Sequence, residues 1–200
     1  MKNWIKVLFI LCGIVLLVGC SDESSPPVSP LDQTTMITGE NTSVMSTSVA
    51  YVPIKLPNGI GRRTIVSKTV LFTKSGGGTM SLSYDYTTDL GKTCQRSATL
   101  SLPANAVTQD VKITMSYDTV NACVNFKPNG LAFIVPGSLS FTVSALDLVS
   151  NPLKGYYVWN DTYSTVEQLT FTGLSTDLTN GSITLMGGKV PHFSKYGFGR

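Results

Sequence analysis

"TMSLSYDYTTDLGKTCQRSATLSLPANAVTQDVKITMSY", residues 79–117, alternates apolar and polar side chains in three successive runs. Met80, Leu82, Tyr84 and Tyr86 are spaced by serine, aspartate or nothing larger, and Ala98, Leu100 and Leu102 by serine and threonine. Val111, Ile113, Met115 and Tyr117 repeat the pattern after a polar connection. A period of two is what a strand with one buried face requires, since successive side chains point to opposite faces. The second and third runs can be set against each other as a hairpin around residues 103–110. With Leu102 opposite Val111, Leu100 meets Ile113 and Ala98 meets Met115 on one face, and a one-residue slip would destroy the match.

Further along, Leu131, Phe133 and Val135 alternate, Pro136-Gly137 interrupts, and Leu139, Phe141, Val143 and Ala145 resume on the same parity. Tyr156 to Trp159, Leu169 with Phe171, and Ile183 with Leu185 add short apolar runs bounded by turn residues. No window keeps a helical period, and β-branched residues are abundant. The expected fold class is all-β: a two-sheet antiparallel β-sandwich over residues 49–200.

The first fifty residues read differently. A basic start (Lys2, Lys6) precedes twelve apolar residues, Val7 to Val18, too few for a spanning helix of roughly 20. Charged start, apolar run and small residues before a cut site are the anatomy of a secretory signal at 1–19. Leu17-Val18-Gly19-Cys20 resembles the lipobox of bacterial lipoproteins. That resemblance implies cleavage before Cys20, diacylglycerol on its thiol, palmitate on the new amino terminus, and a membrane held through two or more acyl chains. Ser21 stands where an aspartate would resemble an inner-membrane retention signal, so the expected location is the outer membrane of a bacterial envelope. Residues 20–48 are rich in Ser, Thr and Pro and are expected to form a disordered tether, with an edge strand near Val44 to Val52 as the alternative.

Removing the signal leaves 13 basic residues, the 15 of the chain less Lys2 and Lys6, against 12 acidic ones. So even a balance gives no electrostatic reason to expect nucleic acid as a partner. Cys12 leaves with the signal and Cys20 takes lipid, so Cys94 and Cys123 remain. In an oxidising compartment a Cys94–Cys123 disulfide is expected, both residues falling just past the open end of the hairpin.

Three segments together resemble the ZU-five domain of zonula-occludens proteins and netrin receptors. They are "SATLSLPANAV" at 97–107, "PNGLAFIVPGSLSFTV" at 128–143 and "VPHFSKYGF" at 190–198, with "SGGGTMSL" at 75–82 similar to its glycine-rich opening strand. The likeness spans about residues 60–198. It departs at Pro103-Ala104-Asn105-Ala106, where the family has Pro-Pro-Gly-Ala. What it implies is a β-sandwich serving as an interaction or structural module, with no cofactor.

Chemistry is sparse. His192 is the single histidine, and no other imidazole exists to complete a nucleophile, base and orienting acid. One histidine, two cysteines and scattered carboxylates give no metal-ligand spacing. Asn160, Asp161 and Glu167 lack the alternating acids and glycine of a calcium loop. Gly76-Gly77-Gly78 has no following Lys-Ser/Thr and reads as a turn. Among nine aspartates and three glutamates in the mature chain no glycosidase-type pair stands out, so a sugar-active enzyme is a remote alternative. "YYVWND" at 156–161 is the candidate binding strand, because alternation would leave one pair, Tyr156/Val158 or Tyr157/Trp159, facing out toward an envelope protein or a polysaccharide, with Tyr157 and Trp159 as the candidate binding aromatics. The opposing expectation is that loops cover the second face of this strand, or that Trp159 fills the core. His192-Phe193-Ser194 resembles a self-cleavage site in animal members of the family, where the serine attacks the preceding carbonyl. With only seven residues beyond the bond, the expectation is that Phe193–Ser194 stays intact and its aromatic neighbours close the last strand.

Overall fold

Alternating apolar side chains pair into ladders because each strand must bury one face and bond both of its backbone edges. The computed structural model describes residues 34–39, 44–45, 49–54, 66–87, 93–118, 120–160 and 165–200. The expected signal peptide (1–19), Cys20 and the tether as far as residue 33 lie outside the described residues. Thirteen strands follow in chain order: β1 (Thr34–Gly39), β2 (Val44–Met45), β3 (Ser67–Phe72), β4 (Gly78–Thr87), β5 (Thr93–Leu102), β6 (Val111–Tyr117) and β7 (Cys123–Lys127). Then come β8 (Ala132–Val143), β9 (Gly155–Asn160), β10 (Thr165–Gln168), β11 (Phe171–Asp177), β12 (Ser182–His192) and β13 (Lys195–Gly199). They form a six-stranded sheet, β1-β11-β12-β8-β5-β4, and a seven-stranded sheet, β2-β10-β9-β13-β7-β6-β3, antiparallel throughout. There is no helix among the described residues.

The two sheets stack into the expected β-sandwich. Met80, Leu100, Leu139 and Phe141 of one sheet meet Ile113, Val124, Phe126 and Phe198 of the other in a single buried core. Phe141 carries the contact across the gap, stacked on Tyr117 at 6.2 Å and on Phe198 at 5.3 Å, both near-parallel. Such aromatic pairs add about 0.5–1.5 kcal/mol each beyond their buried area.

The hairpin reading is overturned. β5 pairs with β4 and β8, whereas β6 pairs with β3 and β7 in the other sheet. Leu100 and Ile113 are both buried, but from opposite sheets of the core rather than side by side. Matched apolar parity serves strands facing each other as well as it serves neighbours. The connection over 103–110 is long enough to cross the roughly 10 Å between sheets. It is tied down on the way: Asn105 N–H donates to Lys74 O at 2.7 Å, and Lys74 N–H to Asp110 Oδ1 at 2.8 Å.

Two further expectations change. Pro136-Gly137 does not break the chain into two strands, for β8 runs through it. The proline falls at an irregularity in the pairing with β12, where no ladder donor is needed, and a Cβ on Gly137 would lie 2.4 Å from Leu102 Cδ2. Strands replace part of the expected tether before residue 48, and β2 fits the alternative of an edge strand from Val44. β1 pairs with the edge of one sheet at β11, and β2 with the edge of the other at β10. An edge strand gains ladder bonds whatever its periodicity, so composition alone sets no boundary there. Finally, residues 49–54 are stitched to β13 and to the turn after β6. Ala50 and Arg200 exchange backbone bonds at 3.3 and 2.8 Å, and Val52 N–H donates to Phe198 O at 2.9 Å.

Candidate functional site

Strand β9 is apolar at every position from Tyr156 to Trp159, and the fold buries both of its faces. Tyr156 and Val158 enter the main core. Tyr157 and Trp159 turn outward from the sheet into a second small cluster with Val49, Cys123 and Val166. Trp159 is 6% exposed, donates Nε1–H to Val49 O at 3.4 Å, and packs its ring 4.1 Å from that of Tyr51. Tyr157 and Trp159 are therefore not exposed binding aromatics, and the opposing expectation of a covered face holds: residues 49–51, bonded to the end of β13, cover it. The half-buried ring at the rim is Tyr51, with Lys195 Nζ 5.1 Å from its centre. Sequence reasoning missed it because residues 49–51 show no strand period of their own.

His192 ends β12 in one sheet, and Lys195 begins β13 in the other. Phe193 and Ser194 form the turn between them, so His192 and Ser194 do not share the face of one extended strand. Phe193 is buried against Phe126 at 5.9 Å and edge-on to Phe133 at 4.6 Å. The Ser194 hydroxyl donates to Trp159 O at 2.5 Å, and the Phe193 carbonyl accepts from Gly130 N–H at 3.2 Å. His192 Nδ1 is buried without a hydrogen-bond partner, while its carbonyl accepts the Tyr196 hydroxyl. Burial pushes the Tyr196 phenol well above its ordinary range. The proton that a nucleophilic serine would give to a base is committed to a backbone carbonyl. Geometrically this is a sheet-to-sheet corner pinned by hydroxyls.

The two cysteines are buried thiols, not a disulfide. On β5 the inward parity is Cys94, Arg96, Ala98, Leu100, Leu102, so Cys94 points between the sheets. On β7 the inward residues are Val124 and Phe126. Cys123 has the opposite parity and lies in the outer cluster, its Sγ 2.5 Å from where a Cβ on Gly197 would stand. A bond would have to run from the sandwich interior to the far face of a sheet, a geometry the narrow Cβ–Cβ range of disulfides does not allow. Burial, then the nearby Asp118, pushes the Cys123 thiol well up, keeping it neutral.

Arg96 is the residue the sequence reading passed over. It is 4% exposed, donates Nη1–H to Asp118 O at 2.7 Å across to the other sheet, and lies 5.8 Å from the Tyr86 ring centre. Its Nε and the Tyr86 hydroxyl are buried without partners, at a cost of about 1–3 kcal/mol each. An arginine on the apolar parity of a strand was the available signal. Asp118 itself faces Lys195 Nζ at 3.7 Å. Asp161, of the discounted calcium pattern, lies outside the described residues. In comparisons with known proteins the chain matches no family model, no curated protein and no solved structure.

Proposed function

We propose that this chain is a lipoprotein of the bacterial envelope, more specifically of the outer membrane. It is held by acyl chains on Cys20 and carries a ZU-five-like sandwich that works as a non-catalytic binding or structural module. The address is supported by the Leu-x-Gly-Cys site after a short apolar run. The observation that carries the module reading is how the most reactive-looking side chains are used. Ser194, Tyr196 and Arg96 each give a hydrogen bond to a backbone carbonyl that joins two elements of the scaffold. Asn105, where the family has glycine, takes φ 60, the left-handed conformation glycine would supply, and so supports the resemblance. The partners consistent with such a module are the lipid membrane and an envelope protein or polysaccharide. Labelled palmitate should enter the wild-type protein and vanish in Cys20→Ser; label retained by Cys20→Ser would overturn the reading.

Self-cleavage at Phe193–Ser194 is a second reading, favoured only by the unpartnered His192 Nδ1. Against it stands the Ser194 hydroxyl bonded to Trp159 O. The purified protein is expected to keep one intact mass during incubation at neutral pH. A product ending at Phe193, absent in Ser194→Ala, would establish the second reading instead.

A further inference from the structure

We propose that the end of the sandwich bearing Val120, Val149 and Leu178 is the face that rests on the lipid bilayer, with these three side chains entering the headgroup layer. The proposal rests on the lipoprotein reading above and adds an orientation to it.

The three residues are exposed large apolar side chains, three of seven among the described residues, at 46%, 78% and 40%. Each sits in a turn held by its own aspartate. Asp118 Oδ1 accepts from Val120 N–H and Asn121 N–H, both at 2.8 Å. Asp147 Oδ1 accepts from Ser150 N–H at 3.2 Å, and Asp177 Oδ1 from Asn180 N–H at 3.0 Å. The carboxylates are thus directed into their turns while the aliphatic chains project. Turns fixed in this way lose little further conformational freedom when their tips are buried.

The three turns belong to one surface. Ile54 N–H donates to Val120 O at 2.9 Å, Ile54 bridges to Leu146, and Leu146 N–H donates to Gly181 O at 2.8 Å. Exposed Lys154 stands on the same end, beside β13's last residue, as a cation suited to lipid phosphates, and exposed Arg200 adds positive charge there while its Nε and Nη1 donate to Tyr51 O at 2.9 Å and Asn151 Oδ1 at 2.6 Å.

What identifies the occupant is where the chain enters. Thr34 pairs with Asp177, the residue before Leu178, so the polypeptide arriving from Cys20 joins the domain at this end. Fourteen residue steps separate Cys20 from Thr34, a span of at most about 50 Å. Nine to ten residue steps along β8 place the opposite end, with exposed Ile134 and Val135, roughly 30–34 Å from the level of Thr34 and Asp177. Separate aliphatic tips divided by polar turns make no continuous groove for a protein helix or strand. They suit insertion between headgroups, where each tip is buried independently.

The test uses the mature protein, with acylation of Cys20 verified by intact mass, in vesicles of phosphatidylethanolamine and phosphatidylglycerol. Val149→Trp adds a reporter at this end and Ile134→Trp one at the other, each against the constant background of buried Trp159. With dibrominated acyl chains, the Val149→Trp emission is expected to fall by about half and shift to the blue, as for a side chain at the headgroup–acyl boundary, while Ile134→Trp is unchanged. Equal responses at both ends, or none at Val149 in an acylated protein, would overturn the orientation and leave the lipoprotein reading standing. Shielding of Val149→Trp in native envelopes but not in pure lipid would mean that a protein covers this end, and would overturn it too. An unacylated Cys20 removes both readings.

Discussion

Ala145, just past β8, stands at φ 62, a conformation that costs a residue with a Cβ about 1–2 kcal/mol. Glycine removes that strain but adds about 0.5–1 kcal/mol of backbone entropy to be lost on folding. Ala145→Gly is therefore expected to raise the unfolding free energy by up to about 1 kcal/mol, measured by urea denaturation. Gly181 should behave oppositely, because it takes φ 58 and a Cβ there would lie 2.2 Å from Leu146 O. Gly181→Ala is expected to lose about 1–3 kcal/mol. An equal response of the two sites would show that backbone conformation is not what distinguishes them. At this scale the sequence was only partly legible. The parity of Leu100, Phe141 or Ile113 was readable because burial repeats every second residue. Arg96 was not read, since one charged residue on an apolar parity looks like an error in the pattern until its bond to Asp118 O is seen.

The strands themselves were largely legible and their partners were not. β4, β5, β6 and β8 lie where the alternations place them, but alternation says only which face is buried. β5 and β6 carry complementary apolar rows because they face one another across the core, and a hairpin would have required the same rows. The disulfide failed with that pairing, for it assumed two thiols emerging on one side of a single sheet. With Cys94 inside the sandwich and Cys123 outside it, both thiols are expected to react in the denatured protein in a thiol titration without reductant. Few or none would restore the covalent link and require β7 to present its other face inward. On strand β9 the covered reading held and the binding alternative failed: a run of four apolar residues marks a strand covered on both sides, and its second cover, residues 49–51, comes from far away in sequence.

For the molecule as a whole, the buried phenols and thiol set an alkaline limit. Burial holds Tyr117, Tyr156, Tyr196 and Cys123 protonated in the folded chain well beyond their ordinary values of 10.0 and 9.0. Above about pH 9 the unfolded chain releases these protons and the folded chain does not, so stability falls as pH rises. Each group contributes up to about 1.4 kcal/mol per pH unit until its folded form also ionises. Denaturation midpoints should be level for these groups between pH 7 and 8.5 and fall steeply from pH 9 to 11, with Tyr156→Phe flattening the decline. An alkaline limb indifferent to Tyr156→Phe would exclude that phenol as a source. The overall architecture, two antiparallel sheets, was readable from periodicity. The junction where the chain joins the sandwich was not, because β1 is defined by the edge it pairs with rather than by a pattern of its own. That junction has a mechanical meaning. Thr34 lies at the outer end of β1 with the rest of the strand running inward along β11, and the ladder bonds stand across that direction. A tug arriving through residue 34, along the strand axis, strains the whole row of bonds together in shear. A sideways pull would open them one after another like a zipper, so the domain resists a force applied through residue 34 best when that force runs along β1.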